Sequence, residues 1–222
     1  MDAYVFECTS TACRFRYPAS GDELAHALIC PMCGSPAKQA ARYDSLAIEV
    51  DVKLPLARRV IGVLDNIRSA YNVGSIFRTA DGAGIQELFL CGITPSPENV
   101  RVRKTALGAE EAVPWRSRRN GVQLVRELME QEYFLVVLEG GEGARSLYDC
   151  GQDLGELAGN KSVALVVGNE KSGVDPGILA CCDLCLKLPM QGAKRSLNVV
   201  VAFGIAAYAL CFEHSAIYPA QS

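Results

Sequence analysis

Four cysteines near the start of the chain, Cys8, Cys13, Cys30 and Cys33, have the spacing C-x4-C-x16-C-x2-C. Two close pairs of thiolates are the donor set of a tetrahedral metal, and zinc is the expected ion. Iron would use the same four sulfurs. The CPMCG turn presents both sulfurs of the second pair, and a segment this short carries too little apolar material to hold itself together without such a staple. Cys181, Cys182 and Cys185 also contain a C-x2-C, but no second pair stands nearby. Their flanks, ILACCDLCLKLP, are apolar and point to core packing instead. Cys91, Cys150, Cys211, His26 and His214 stand alone and are assigned no chemistry.

A second group of chemistry-bearing residues is polar, neutral for the most part, and gathered around glycine. VVGNEKSGV at 166–174 and LPMQGAKRSLNVVVA at 188–202 carry Gly168, Gly173 and Gly192, which let backbone approach a ligand closely. Ser196 reads as the N-cap of the following helix, with Asn198 two residues on. LDNIRSAYNVGSIFRTADGAG at 64–84 adds Asn66, Arg68, Asn72 and Arg78 among Ile67, Val73, Ile76 and Phe77; a helix beginning near Asn72 would place Arg78 at the margin of its apolar stripe. GGEGARS after YFLVVLE lacks the third glycine of G-x-G-x-x-G, which argues against a dinucleotide site.

These residues need elements to hold them. RRVIGVLDN, IQELFLCGI, YFLVVLEG, SVALVVGNE and CDLCLKLPM read as strands, and NVGSIFRTADGAG, GVQLVRELMEQE and SLNVVVAFGIAAYALCFEH as helices. Near-continuous apolar strands alternating with helices predict an α/β fold whose parallel sheet is covered by helices on both faces. Ligands of such sheets lie beyond the carboxyl ends of the strands, where all three polar segments fall. The expected organisation is a metal-binding unit at 1–40, a connector at 41–56 and the α/β domain at 57–222.

Half of the 222 residues are hydrophobic and 21% are charged, with a net charge of −3. This excludes a disordered chain and one that grips nucleic acid by bulk charge. A local basic cluster, Arg101, Arg103, Lys104, Arg116, Arg118 and Arg119 against Glu110 and Glu111, is either a phosphate-binding face or a solvated surface run. The N-terminus shows no signal or transit pattern, and the apolar run at 199–212 is too short to cross a bilayer. A cytoplasmic protein with no membrane partner is expected.

NVGSIFRTADGAG, LVVGNEKSGV and LPMQGAKRSLNVVVAFGIA resemble, in order, the three signature motifs of the SpoU/TrmH branch of the SPOUT RNA methyltransferases, and the similarity extends over residues 60–212. TALGAEEAVPW at 105–115 resembles the segment after the second strand in many members. The resemblance implies a C-terminal trefoil knot, a homodimer, bound S-adenosylmethionine and methyl transfer to a ribose 2′-hydroxyl of tRNA or rRNA, with DNA excluded because it lacks the acceptor. By motif position, Leu138, Glu139, Gly168, Leu188, Met190 and Leu197 would wall the cofactor pocket. Arg78, Asn72, Glu170, Ser196 and Asn198 would carry catalysis. A guanidinium holds its proton, so Arg78 suits phosphate anchoring, although the family has also assigned it as a base. Val200 departs from the serine or alanine many members carry, without removing a catalytic group. The N-terminal segment resembles a zinc ribbon and stands where other members carry different RNA-binding extensions. A non-catalytic RNA-binding module keeping the knotted fold is the competing reading.

Overall fold

The computed structural model describes residues 2–43, 56, 58–141, 143–149 and 157–212. The chain forms two compact units, Met1–Lys53 and Leu54–Ser222. Most of the connector expected at 41–56 lies outside the described residues, as do Cys150 and His214.

The first unit is an antiparallel sheet of β1 (Ala3–Cys8), β2 (Arg16–Ser20) and β3 (Ala37–Arg42), in the order β2-β1-β3. Among the described residues its buried apolar cluster is Phe6, Ala19 and Ala27, flanked by Tyr4, Tyr17 and Leu24. So small a core cannot offset the chain entropy of ordering the unit. Cys8 ends β1, Cys13 sits in the turn after it, and Cys30 and Cys33 occupy a second turn closed by hydrogen bonds from the Gly34 amide to the Cys30 carbonyl (2.9 Å) and the Cys30 amide to the Ser35 carbonyl (2.8 Å).

Among the described residues, the second unit is built on seven parallel strands: β4 (Val60–Asp65), β5 (Leu88–Cys91), β6 (Trp115–Arg118), β7 (Phe134–Leu138), β8 (Arg145–Ser146), β9 (Val163–Val167) and β10 (Leu184–Lys187). Their order is β6-β5-β4-β9-β7-β10-β8. β4, VIGVLD, and β9, VALVV, are buried along their whole length, because the pleat sends alternate side chains into two separate cores. Val60 and Leu64 enter one core, Ile61 and Val63 the other.

Helices α1 (Ala70–Ala83), α2 (Val100–Ala106), α3 (Ala109–Ala112) and α6 (Val199–Cys211) contribute to the first core; α4 (Gly121–Glu130) and α5 (Pro176–Leu179) cover the opposite face. α1 and α2 touch at Gly74, where any side chain would collide with the Val102 carbonyl. The α/β fold with helices on both faces follows the sequence expectation, with local corrections. α1 begins at Ala70 because Ser69, ahead of Asn72, caps it by accepting from the Asn72 amide at 3.3 Å. α6 begins at Val199, capped by Asn198 through the Val200 amide at 2.8 Å, and Ser196 is left in the preceding loop rather than serving as the cap. The segment 105–115 divides between α2, α3 and β6.

Cys181 and Cys182 pack against the second core and Cys185 lies within β10, in keeping with a packing role. Cys91 and Cys211 are fully buried, and burial pushes both thiols up to about 12, far from reactive thiolates. No described helix is long and apolar enough to cross a membrane.

Candidate active site

β4, β9, β7 and β10 lie side by side at the centre of the sheet, and the segments following their carboxyl ends surround a pocket of about 430 Å³. All six residues expected to wall a cofactor, Leu138, Glu139, Gly168, Leu188, Met190 and Leu197, line it. Gly168 is required there by close approach. The Asn169 and Gly173 backbones exchange hydrogen bonds of 3.0 and 2.9 Å, and this tight turn brings the Gly173 carbonyl and Val174 amide so near Gly168 that a Cβ would collide with both. Glu139 braces the same turn, its carboxylate accepting from the Val174 amide at 3.0 Å.

Four of the five residues expected to act in catalysis meet at this pocket: Asn72, Glu170, Ser196 and Asn198. Glu170, from the loop after β9, accepts hydrogen bonds from the Arg68 amide (2.9 Å), the Ser69 amide (3.1 Å) and the Asn72 side chain (2.9 Å). Asn72 in turn accepts from the Asn198 side-chain amide at 3.5 Å. One chain of hydrogen bonds thus joins three segments far apart in sequence. The Ser196 hydroxyl makes no hydrogen bond among the described residues and lines the pocket.

Burial alone would raise the Glu170 carboxyl above its ordinary value. The Arg68 amide, its own amide, the Asn72 side chain and the Ser69 amide outweigh that and hold it below. The charge also sits at the N-terminal end of α1, which the helix dipole favours. Because the folded carboxyl titrates lower than an ordinary one, the stability it lends is present above the usual carboxylate range and disappears as pH falls through the depressed value. Glu170→Gln puts an amide donor against backbone amides and is expected to cost about 1 kcal/mol at pH 7. Thermal melts should show the gap between variant and wild type closing toward acid pH; a gap independent of pH counts against this role for the carboxylate.

Two residues missed in the sequence complete the scaffold. Asn169 donates from its side chain to the Asn66 carbonyl (2.7 Å) and accepts from the Lys171 and Ser172 amides, tying the loop after β9 to the loop after β4. Asp65 is buried at the end of β4, where it accepts from the Asp175 amide (2.9 Å) and the Asn66 side chain (2.8 Å). Burial raises its carboxyl above the ordinary value. The available signal was a lone acid ending the apolar run VIGVL.

Arg78 does not join the pocket. It is exposed on α1, six residues beyond Asn72, a spacing that turns it well away from the Asn72 face. The basic cluster is likewise divided: Arg116 pairs with Glu87 at 2.7 Å, Arg118 with Glu127, and Arg103 donates to the Pro97 carbonyl at 2.6 Å, leaving Arg101, Lys104 and Arg119 without carboxylate partners among the described residues.

In the first unit the four cysteine sulfurs lie within 4.8 Å of one another, with Cys8 to Cys33 at 3.5 Å and Cys13 to Cys30 at 3.9 Å. Sulfurs placed ~2.3 Å from a central zinc in a tetrahedron are about 3.8 Å apart, so the set fits that ion. Hydrogen bonds from the Ser35 side chain and backbone draw the Cys33 thiol down to about 6, favouring a thiolate ligand. Desolvation, followed by lesser influences, holds the Cys8 thiol up at about 12, a cost that a bound cation would reverse.

Residues 59–208 match the SpoU rRNA methylase family. The chain belongs to that family. SpoU relatives include the 23S rRNA (guanosine-2'-O-)-methyltransferase RlmB of Vibrio vulnificus, 34% identical over 170 residues, which cover 77% of this chain and 64% of that one. The protein of the same name from Xanthomonas axonopodis pv. citri is 32% identical over 172 residues, covering 75% and 66%. The chain thus spans slightly less than two thirds of the length of these relatives. Among solved SpoU structures, the A. aeolicus TrmH/SpoU tRNA modifying enzyme superposes with a TM-score of 0.60 at 27% identity, covering 69% of this chain and 74% of its own.

Proposed function

We propose that the chain is an S-adenosylmethionine-dependent RNA methyltransferase that modifies a ribose 2′-hydroxyl of tRNA or rRNA. The observation carrying this reading is the hydrogen-bonded set Glu170–Asn72–Asn198, which closes three separate segments around one pocket. The pocket suits the cofactor: Leu138, Leu188, Met190 and Leu197 offer apolar walls for an adenine, while Glu139 and Glu170 supply negative charge for a cationic ligand. Bound there, S-adenosylmethionine supplies a methyl group already activated by its sulfonium.

The protein then has chiefly to orient the acceptor. The Ser196 hydroxyl and the Asn198 side chain at the pocket edge are placed to hydrogen-bond a ribose, and Asn72 is held in register by Glu170. Glu170 is therefore a positioning residue, with its carboxylate occupied by the α1 terminus. Arg78, off the pocket of its own chain, anchors a phosphate and stabilises charge near the attacking oxygen at the pocket of a second subunit.

A homodimer belongs to the same proposal. α6 buries Phe203, Ala206, Ala207 and Leu210 but leaves Val201 and Tyr208 half exposed on another face. A second subunit covering that face would also offer Arg78 a pocket to serve. Light scattering at micromolar concentration should report twice the chain mass, and a monomer would remove this part of the reading. The trefoil knot and a cytoplasmic location complete the proposal, the latter supported by the free, buried thiols of Cys91 and Cys211.

The deciding experiment maps ribose methylation in RNA from cells with and without the gene, alongside calorimetry with S-adenosylmethionine. Loss of one or more 2′-O-methyl marks supports the reading. Cofactor binding without transfer to any cellular RNA favours a non-catalytic RNA-binding module.

A further inference from the structure

Tyr71 is the second residue of α1 and the neighbour of Asn72, which lines the pocket. Its side chain is half exposed, at 50%. α2 runs directly beside it: the Thr105 hydroxyl donates to the Tyr71 carbonyl at 3.1 Å, and the close approach at Gly74 one turn later fixes the two helices against each other. On α2, Arg101, Lys104 and Thr105 have the i, i+3, i+4 spacing that places them on one strip. Two cations therefore share the strip whose threonine reaches Tyr71.

Both cations are exposed, and neither has a carboxylate within ion-pair distance among the described residues. This distinguishes them from Arg103, Arg116 and Arg118, whose charges are already engaged on the chain itself. An exposed aromatic side chain on one helix and free cations on the helix packed against it are the combination that binds a single-stranded nucleic acid, since each base has a π-face to stack and each phosphate a charge to neutralise. An apolar protein partner would gain nothing from the two charges.

We propose that Tyr71, Arg101 and Lys104 form a landing strip for a single-stranded stretch of substrate RNA next to the reacting nucleotide. Tyr71 stacks a base, and Arg101 and Lys104 hold phosphates. The proposal rests on the RNA methyl-transfer reading above and adds where the strand runs: from the pocket, past the start of α1, onto α2. It also makes the acceptor an unpaired or loop nucleotide, because a base inside a duplex has no free face to stack.

The test uses full-length Tyr71→Ala, Tyr71→Phe and the double variant Arg101→Ala/Lys104→Ala, with RNA from cells lacking the gene as substrate. Wild-type turnover is measured first; if it is absent, the methyl-transfer reading itself has failed, which is a separate result from any variant effect. With turnover present, Tyr71→Ala should raise KM for RNA about 10-fold while kcat stays near wild type, and Tyr71→Phe should restore KM. The double variant should weaken RNA binding and flatten the slope of log affinity against log salt by about 1.4, the loss of two phosphate contacts on a single strand. Calorimetry should show S-adenosylmethionine affinity unchanged in all three. Unchanged KM in Tyr71→Ala, or a fall from dimer to monomer mass in any variant, overturns the proposal, the latter by making the strip a subunit interface.

Discussion

Arg78→Ala is expected to lower methyl transfer to RNA by at least ~10²-fold, the scale of losing a group that stabilises developing charge. S-adenosylmethionine affinity should be unaffected, because the side chain is exposed and lies off the pocket of its own chain. Stability should hardly change for the same reason. Arg78→Lys should recover little, since an ammonium cannot reproduce the two-pronged contact of a guanidinium with phosphate. If Arg78 serves the pocket of the partner subunit, mixed dimers of Arg78→Ala with Asn198→Ala should transfer methyl groups when neither parent does. A near wild-type rate for Arg78→Ala would show the assigned role to be wrong.

Metal removal is expected to have the second large effect, and to be confined to one unit. Metal analysis of protein purified without chelator or oxygen should find one zinc per chain; one iron instead would leave the site assignment intact and change the ion. Stripping it should abolish amide-exchange protection over residues 2–43, because Phe6, Ala19 and Ala27 are too few to hold three strands together. Protection in β4 and β9 should persist, since their cores share nothing with the cysteine cluster. Cys30→Ser should reproduce the loss. A metal-free protein whose first forty residues stay protected would rule the site out.

The sequence discloses what depends on local pattern and withholds what depends on tertiary meeting. The buried strands VIGVLD and VALVV could be read directly, because residues apolar on both faces have few other environments available. The cysteine spacing was legible for a similar reason: the donors and their turn lie within one short segment. The residues expected by motif position to wall a cofactor line one pocket, yet nothing in the spacing of Glu170 and Asn72 says that a carboxylate after β9 will grip the start of α1. The Ser196 cap failed on a choice between two good capping residues two positions apart, which only the backbone of the preceding loop decides. The basic run of 101–119 divides because Glu87, far back in the sequence, and Glu127, on the next helix, neutralise two of its members and leave the others without carboxylate partners among the described residues.

The parallel pairing at the centre of the sheet has a consequence for how the chain is made. β4 finds β9 as one neighbour, in a register that sets Val60 against Val163, so half of its hydrogen-bonding edge has no partner until most of the domain has left the ribosome. During that interval an apolar strand is open to any other chain, and long-range pairing of this kind forms slowly. The small N-terminal unit has no such wait. Its three strands and all four cysteines emerge before β4 does, so it can capture its metal and fold while the larger domain is still being synthesised. Each nascent chain would then carry a finished module ahead of its unpaired strand during the stage when it is most exposed to aggregation.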